Sequence, residues 1–338
     1  MTSQSDDKKK VKAVGLISGG LDSTLAAKVV KDLGVDVYGV FFAMPWGCCD
    51  KTFAIEAAQS IGINFITLQL DERYLEVVRS PKYGRGAAMN PCIDCRIHMF
   101  SRAAQYMKHI NADFVFTGEV LGQRPMSQKR LSLDRIEEAS GLKGKLLRPL
   151  SAQHLDPTDV EKQGLIDRSK LLDLTGRSRK GQYSLADELG VSGYSAPGGG
   201  CLLTDQNFSE RIKDTFEHGY RNFRETVALK WGRHYRFDKN YKCIIGRDHE
   251  ENEGLLRYAH PDDIIMQFTN NLGPTLLLKG ENPPQEILSQ CAGIIQRFSR
   301  YKDDLPQQMK YWVSKDRNNI QLIDSIPVDD QVIEKLKI

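Results

Sequence analysis

The chain has 338 residues, 40% of them hydrophobic and 27% charged, with a formal net charge of +3. That is ordinary for a globular protein of two domains, and the surplus charge is too small to establish a nucleic-acid partner by itself. No apolar run is long enough to cross a bilayer, and Met1 to Lys10 is polar with no signal-peptide core, so a flexible tail over residues 1–10, no membrane partner and a cytoplasmic location are expected.

The apolar run Val11 to Ile17 reads as a buried parallel strand. Ser18-Gly19-Gly20-Leu21-Asp22-Ser23 follows, and Thr24 to Leu33 reads as a helix. A strand, a glycine turn and a helix N-terminus form an anion cradle, because backbone N–H groups and the helix dipole both favour negative charge there. Gly19 and Gly20 carry no Cβ to obstruct a phosphate, and Ser18 and Ser23 add hydroxyl donors. Asp22 suits an anion site only with a metal ion or a transferred proton, which points to ATP chemistry with Mg²⁺. The bland alternative is a capped glycine turn. The string is neither a Walker loop nor a dinucleotide fingerprint, since Gly-Lys-Ser/Thr and G-x-G-x-x-G are both absent.

Asp36 to Phe42 reads as a second strand, Thr52 to Ile61 as a helix and Asn64 to Leu68 as a third strand. Ile93 to His109 reads as a helix and Phe114 to Thr117 as a further strand. This alternation predicts an α/β fold, a doubly wound parallel sheet with ligands at the carboxyl ends of its strands. Ser18, the stretch Ala43 to Asp50 and the stretch Gly118 to Gln128 fall at that edge. Leu146 to Asp205 reads as short helices and loops. One helix is opened by Asp156-Pro157 with Asp as cap, another spans Arg177 to Leu189, and a Pro197-Gly198-Gly199-Gly200 turn leads into Cys201.

The composition shifts near Phe208, which divides the expected domains into 11–207 and a smaller α+β domain over 208–338. A helical stretch from Ser209 to Leu229 opens the second, and Pro283-Pro284 starts a helix running to about Tyr301. From Phe208 onward 20 basic residues balance 20 acidic ones, so the positive surplus lies in the first domain.

Seven cysteines in a cytosolic chain are not read as disulfides. Pro91-Cys92-Ile93-Asp94-Cys95 sets two thiols at a helix N-terminus, where the dipole favours thiolate. Cys201 follows three glycines and can approach another element closely. Cys92, Cys95 and Cys201 could hold three irons of a [4Fe–4S] cluster, leaving the fourth open. Two alternatives stay open: zinc completed by His98 or Cys49, and a persulfide-carrying pair. Cys243 and Cys291 read as core residues, whereas Cys48 and Cys49 lie ambiguously at the sheet's carboxyl edge.

The SGGLDS loop resembles the PP-loop of the ATP pyrophosphatases. Together with Asn90-Pro91-Cys92-x-x-Cys95, Thr117-Gly118-Glu119, Gly118 to Gln128 and the Cys201 turn, it is similar to the tRNA-thiolating branch: 2-thiouridylases, 4-thiouridine synthetases and iron–sulfur tRNA thiolases. The resemblance covers about Val11 to Asp205. It implies an enzyme that adenylates a tRNA base oxygen, releasing pyrophosphate, and puts sulfur in its place. Ser18, Gly19, Gly20, Asp22, Ser23 and Gly118 would bind the nucleotide, with Arg124 or Lys129 offsetting phosphate charge. Asp22, Cys92, Cys95 and Cys201 would be catalytic, and the three cysteines would ligate the metal. Here C-x-x-C replaces the first of the two separated cysteines of the cysteine-only 2-thiouridylases, which favours cluster chemistry over persulfide relay. Sulfur would come from sulfide or a sulfur-donor protein, and pairing into homodimers is implied.

Gly232-Arg233-His234-Tyr235, Ile245-Gly246-Arg247, Glu251-Asn252 and the Ala292 to Tyr301 helix resemble the NFACT-type RNA-binding domain. Ile264-Ile265-Met266-Gln267 stands where that domain has Trp-x-His, so RNA docking is implied there rather than catalysis. Rival functions are a PP-loop synthetase or sulfur insertase acting on a small molecule, and a non-catalytic RNA-binding protein with a degenerate loop.

Overall fold

The computed structural model describes residues 10–47, 51–195, 200–220, 222–302, 305–326 and 328–338. The expected tail and the Cys48-Cys49 pair lie outside them, apart from Lys10. Two compact units result, residues 1–201 and 202–338.

The first unit contains β1 (Lys12–Leu16), α1 (Leu21–Asp32), β2 (Asp36–Ala43), α2 (Lys51–Ile61), β3 (Asn64–Gln69), α3 (Glu72–Arg79), α4 (Cys92–His109), β4 (Phe114–Thr117), α5 (Arg130–Ala139), β5 (Leu146–Leu147), α6 (Asp159–Lys162) and α7 (Lys180–Glu188). Its sheet is wholly parallel in the order β3-β2-β1-β4-β5. Leu16 at the end of β1 lies in register with Val40 of β2 and Thr117 of β4. The chain leaves β1 for β2 on one side and returns to β4 on the other. A crevice therefore opens beyond the carboxyl ends of β1 and β4, where α/β sheets bind ligands. Ala13, Val14, Phe114, Val115 and Phe116 are fully buried, which explains their near-continuous apolar sequence. Gly15 is needed in β1 because a Cβ there would lie 2.3 Å from the Phe116 ring.

Helix α1 starts at Leu21, three residues before the periodicity suggests. Extended Gly20 (φ −83°, ψ 160°) is its N-cap, so Asp22 and Ser23 sit in the first helical turn. Sequence reading missed α3 and α5. Each is short, with only Tyr74, Leu75 and Val78, or Leu133 and Ile136, buried against the core. The helix expected from Asp156-Pro157 is instead capped at Thr158. Its N–H and hydroxyl donate to Glu161 at 2.7 and 2.6 Å, while Asp156 accepts from Arg130.

The second unit contains α8 (Gln206–His218), β6 (Arg233–Arg236), β7 (Lys242–Ile245), α9 (His249–Tyr258), β8 (Ile264–Phe268), β9 (Leu276–Lys279), α10 (Gln285–Arg297), β10 (Gln308–Val313), β11 (Gln321–Asp324) and α11 (Asp330–Leu336). Its six strands are antiparallel in the order β11-β10-β8-β9-β7-β6. The expected single helix from Ser209 to Leu229 is broken. Gly219 takes a left-handed φ of 83° at the end of α8, and Asn222 caps a separate 3₁₀ segment, Phe223–Lys230, by accepting from Glu225 N. Cys243 and Cys291 are fully buried in this unit's core. No helix among the described residues is long and apolar enough to cross a membrane.

Candidate nucleotide and sulfur site

The Ser18–Ser23 loop leaves β1 into the crevice. Gly19 has φ +75°, and a Cβ there would stand 2.5 Å from Ala54 N, so α2 seats directly on the loop. Ser195 N donates to Gly19 O at 2.9 Å and ties the turn from the other side. Ser23 Oγ donates to Gly20 O at 2.9 Å, which uses its one proton. The 3.1 Å contact with Ser18 Oγ is then a bond donated by Ser18, and Ser23 also accepts from Ser18 N at 3.2 Å. The two hydroxyls expected to meet a phosphate thus brace the loop itself. Gly20 offers α1 no capping side chain, so the N–H groups of its first turn stay open to an anion.

Asp22 projects from that turn. Its Oδ2 accepts from Gln123 Nε2 at 2.7 Å, and Gln123 Oε1 accepts from Gln182 Nε2 at 3.0 Å. Both glutamines are buried. Because Gln182 donates to the amide oxygen of Gln123, the amide nitrogen must face Asp22. Asp22 Oδ1 is buried and has no hydrogen-bond partner. A carboxylate oxygen in that state is costly unless a cation meets it, so the donor set fits Mg²⁺ beside a phosphate. Gly118, the first residue after β4, is where the sheet edge touches α1: a Cβ would lie 2.4 Å from Asp22 O.

The cysteine pair opens α4, which begins at Cys92 behind Pro91. Asp94 accepts from Lys82 N and Tyr83 N at 2.8 and 3.0 Å, pinning the preceding loop to this helix. Cys95 Sγ meets the Tyr74 hydroxyl at 3.5 Å, and Cys92 and Cys201 are near enough for their charges to act on it. The thiolate expected from the helix dipole is not what this environment favours at Cys95. Burial dominates and pushes its pKa up to about 12, despite the Tyr74 bond. Tyr74 is itself held far above the usual phenol range, first by burial and then by Cys95 and Cys201.

Cys92 and Cys95 are free thiols. Among the described residues, no three His, Cys, Asp or Glu side chains are already drawn into a metal-binding arrangement. Three neighbouring sulfur donors nevertheless suit an iron–sulfur group chemically. His98, weighed as a zinc ligand, packs its ring on Tyr74 with centroids 5.9 Å apart, and burial lowers its pKa.

Behind the cysteines lies a buried ion network. Glu119 accepts from Arg96 at 2.7 Å and from Arg148 Nε at 3.1 Å, and Arg148 also reaches Glu137 at 2.9 Å. Burial works against the Arg96 charge, but Glu119 and the adjacent thiols outweigh it and raise its pKa. The network joins α4 to the end of β4 and explains the glutamate of Thr117-Gly118-Glu119. Tyr74, Arg96, Arg148 and Gln182 carried no sequence signal. Only the folded sheet edge brings them to the loop and the cysteines.

In the second unit the singled-out residues mostly set packing. A Cβ on Gly232 would lie 2.4 Å from Ile245 O, and one on Gly246 would overlap Asn252 Oδ1. Asn252 Oδ1 accepts from Thr275 N at 2.9 Å, and Gln267 donates to the Thr275 hydroxyl at 2.8 Å. His234 is fully buried and bonded to Trp231 O at 2.8 Å. Burial, followed by Lys242 and Arg211, holds its pKa far below the usual value.

A family model described as the tRNA methyl transferase HUP domain matches residues 10–141, and one described as the NFACT protein RNA binding domain matches 232–336. The tRNA-specific 2-thiouridylase MnmA of Tropheryma whipplei (strain Twist) is 36% identical over 121 residues, 32% of this chain and 34% of that protein. The chain thus spans about a third of the length of the curated relatives matched first. The protein of the same name from Streptococcus pyogenes serotype M49 (strain NZ131) is 21% identical over 317 residues, 84% of this chain and 82% of that one. A crystal structure of a 4-thiouridine synthetase–RNA complex with bound ATP aligns 54% of this chain with 52% of its own, at 24% identity and a TM-score of 0.34. With its glycine loop at the switch point of a parallel sheet, the chain is similar to tRNA-modifying HUP-domain proteins over residues 10–141 and to the NFACT RNA-binding domain over residues 232–336.

Proposed function

We propose that the protein is an ATP-dependent tRNA sulfurtransferase. The observation that carries this reading is the pairing of an uncapped helix N-terminus with a half-satisfied carboxylate at Asp22, whose Oδ1 is buried without a partner. A carbonyl oxygen of a tRNA base attacks the α-phosphate of ATP. The bond from that phosphorus to the bridging oxygen breaks, and pyrophosphate leaves into the first turn of α1. The base oxygen, now part of an adenylate, is a far better leaving group than oxide. Attack by sulfur at the base carbon then expels AMP. Asp22 Oδ1 would hold Mg²⁺, which would offset phosphate charge, while Gln123 fixes the other carboxylate oxygen.

Cys92, Cys95 and Cys201 would hold a [4Fe–4S] cluster, which would supply a place for incoming sulfide, taken up free or released as sulfide by a donor protein. Tyr74 and Arg96 orient the thiols and neutralise their charge. The NFACT-type domain supplies further contact to the RNA.

The test is anaerobic purification followed by iron and sulfide analysis and an assay of AMP and pyrophosphate release with unmodified tRNA. About four irons and four sulfides per chain, with AMP formation abolished by Asp22→Ala, are expected. Turnover retained in Asp22→Ala would reject its role. Zinc or no metal would reject the cluster while leaving the ATP chemistry standing.

A further inference from the structure

We infer that two segments bonded side by side at the edge of the loop site form a cationic rim that grips the phosphate backbone of the RNA substrate. The segments are Gly122 to Lys129, after β4, and Thr175 to Gln182, which enters α7. The inference rests on the tRNA reading above and assigns where that RNA lies on the first unit.

Leu121 and Thr175 form a parallel bridge, and Gly176 N donates to Leu121 O at 2.8 Å. Ser151 clamps the pair from below, accepting from Leu121 N at 3.0 Å and donating to Leu174 O at 2.6 Å. The bond from Gln182 to Gln123 closes the far end, and Gln123 is the residue that touches Asp22. The rim therefore borders the nucleotide site through fixed bonds.

Across these two stretches the sequence has Arg124, Lys129, Arg177, Arg179 and Lys180 and no acidic residue. All but half-buried Arg179 are exposed. None of the five side chains has an ion-pair or hydrogen-bond partner among the described residues. Elsewhere in the first unit, surface cations such as Lys28, Arg73 and Arg130 each take a carboxylate. Unpaired like charges held together repel one another, and a polyanion relieves that repulsion.

A nucleotide alone does not account for five cations. The uncapped N–H groups of α1 would meet the pyrophosphate, and even if Arg124 or Lys129 also reached its charge, at least three cations would be left over. Arg177, Arg179 and Lys180 extend the positive charge over roughly 10 Å of chain, the reach of three residue steps. Guanidinium forks match phosphate oxygens, and contacts of this kind position a nucleic acid without reading its sequence. A strand lying there would bring a base to the loop once that base leaves its stack.

The test uses the full chain and an unmodified tRNA transcript, with affinity measured between about 50 and 200 mM salt. Arg177→Gln, Arg179→Gln and Lys180→Gln combined should make the slope of log K against log[salt] shallower by about two to three and weaken binding at least tenfold. Arg124→Gln with Lys129→Gln forms an independent second variant. The affinity of the triple variant for a fluorescent ATP analogue should stay within about twofold of wild type. An unchanged slope in both variants overturns the rim. Loss of nucleotide and RNA binding in parallel reassigns it to ATP phosphates, and lost binding of an acidic polypeptide with RNA binding intact reassigns it to a protein partner. If the slope falls as expected but wild-type protein releases no AMP with tRNA, the rim stands and the sulfurtransferase reading fails. If thiolation is normal and the slope is unchanged, the rim fails and the sulfurtransferase reading stands.

Discussion

Gly118→Ala tests whether the junction of β4 with α1 sets the position of the reacting groups. The new Cβ would stand 2.4 Å from Asp22 O, 2.5 Å from Asp22 C and 2.6 Å from Ser23 N, whereas ordinary contact begins near 3.4 Å. All three atoms are backbone, so no rotamer change relieves the overlap. The first turn of α1 must retreat by about 1 Å in a close-packed interior. Overpacking of this kind costs about 1–3 kcal/mol. For a unit of this size that lowers the melting temperature by roughly 2–12 °C. The larger effect falls on chemistry, because Asp22 and the anion-binding N–H groups move together. A misplacement of about 1 Å can cost on the order of 100-fold in rate. AMP release at saturating ATP and tRNA, measured well below the melting transition, separates the two effects. A wild-type rate per folded molecule would refute the claim that this contact positions the site. A rate that falls only with the folded fraction would do the same.

Gln182→Leu removes the donor that orients Gln123 without touching Asp22. Leaving a buried amide unsatisfied costs about 1–3 kcal/mol, and a freed Gln123 can turn its oxygen toward the carboxylate. The Mg²⁺ concentration giving half-maximal AMP release should rise several-fold, and an unchanged Mg²⁺ curve would show that the relay is only structural. Alanine at Cys92, Cys95 or Cys201 should each lose bound iron, whereas alanine at Cys243 or Cys291, both in the core of the second unit, should keep it. A normal iron content in the Cys201 variant would break the three-ligand assignment.

In the second unit, burial raises the pKa of Asp214, but Arg236 and Lys242 outweigh it and hold the carboxyl below its usual value. Its folded pKa is thus below its unfolded one. The stabilisation is complete above about pH 4 and is lost as pH falls through the folded value. Asp214→Ala should cost about 3–5 kcal/mol at pH 7, and urea titration should show the deficit shrinking below pH 4. A deficit that does not change with pH would assign the loss to packing.

The sequence made local features legible and left long-range ones hidden. The βαβα order, the loop and the carboxyl-edge location depend on periodicity and on glycines next to one another, so Val11 to Leu33 could be read in one pass. Helices α3 and α5 escaped because their apolar positions are few, and α3 matters because it carries Tyr74 to Cys95. Gln182 stands 160 residues from Asp22, in a helix whose pattern gives no sign that one glutamine points inward. Cys95 shows the limit most clearly. A helix N-terminus argues for thiolate, and that argument considers only the chain on either side of the residue. Burial beneath Tyr74 and beside two other thiols comes from the fold, and it wins because desolvation acts on the whole charge whereas the dipole offers only about half of one. A thiol kept protonated this strongly is a poor free nucleophile, while metal coordination can supply the energy to deprotonate it. A Cys95 held by a metal would draw that energy from coordination, whereas an unassisted persulfide relay would need another source for it.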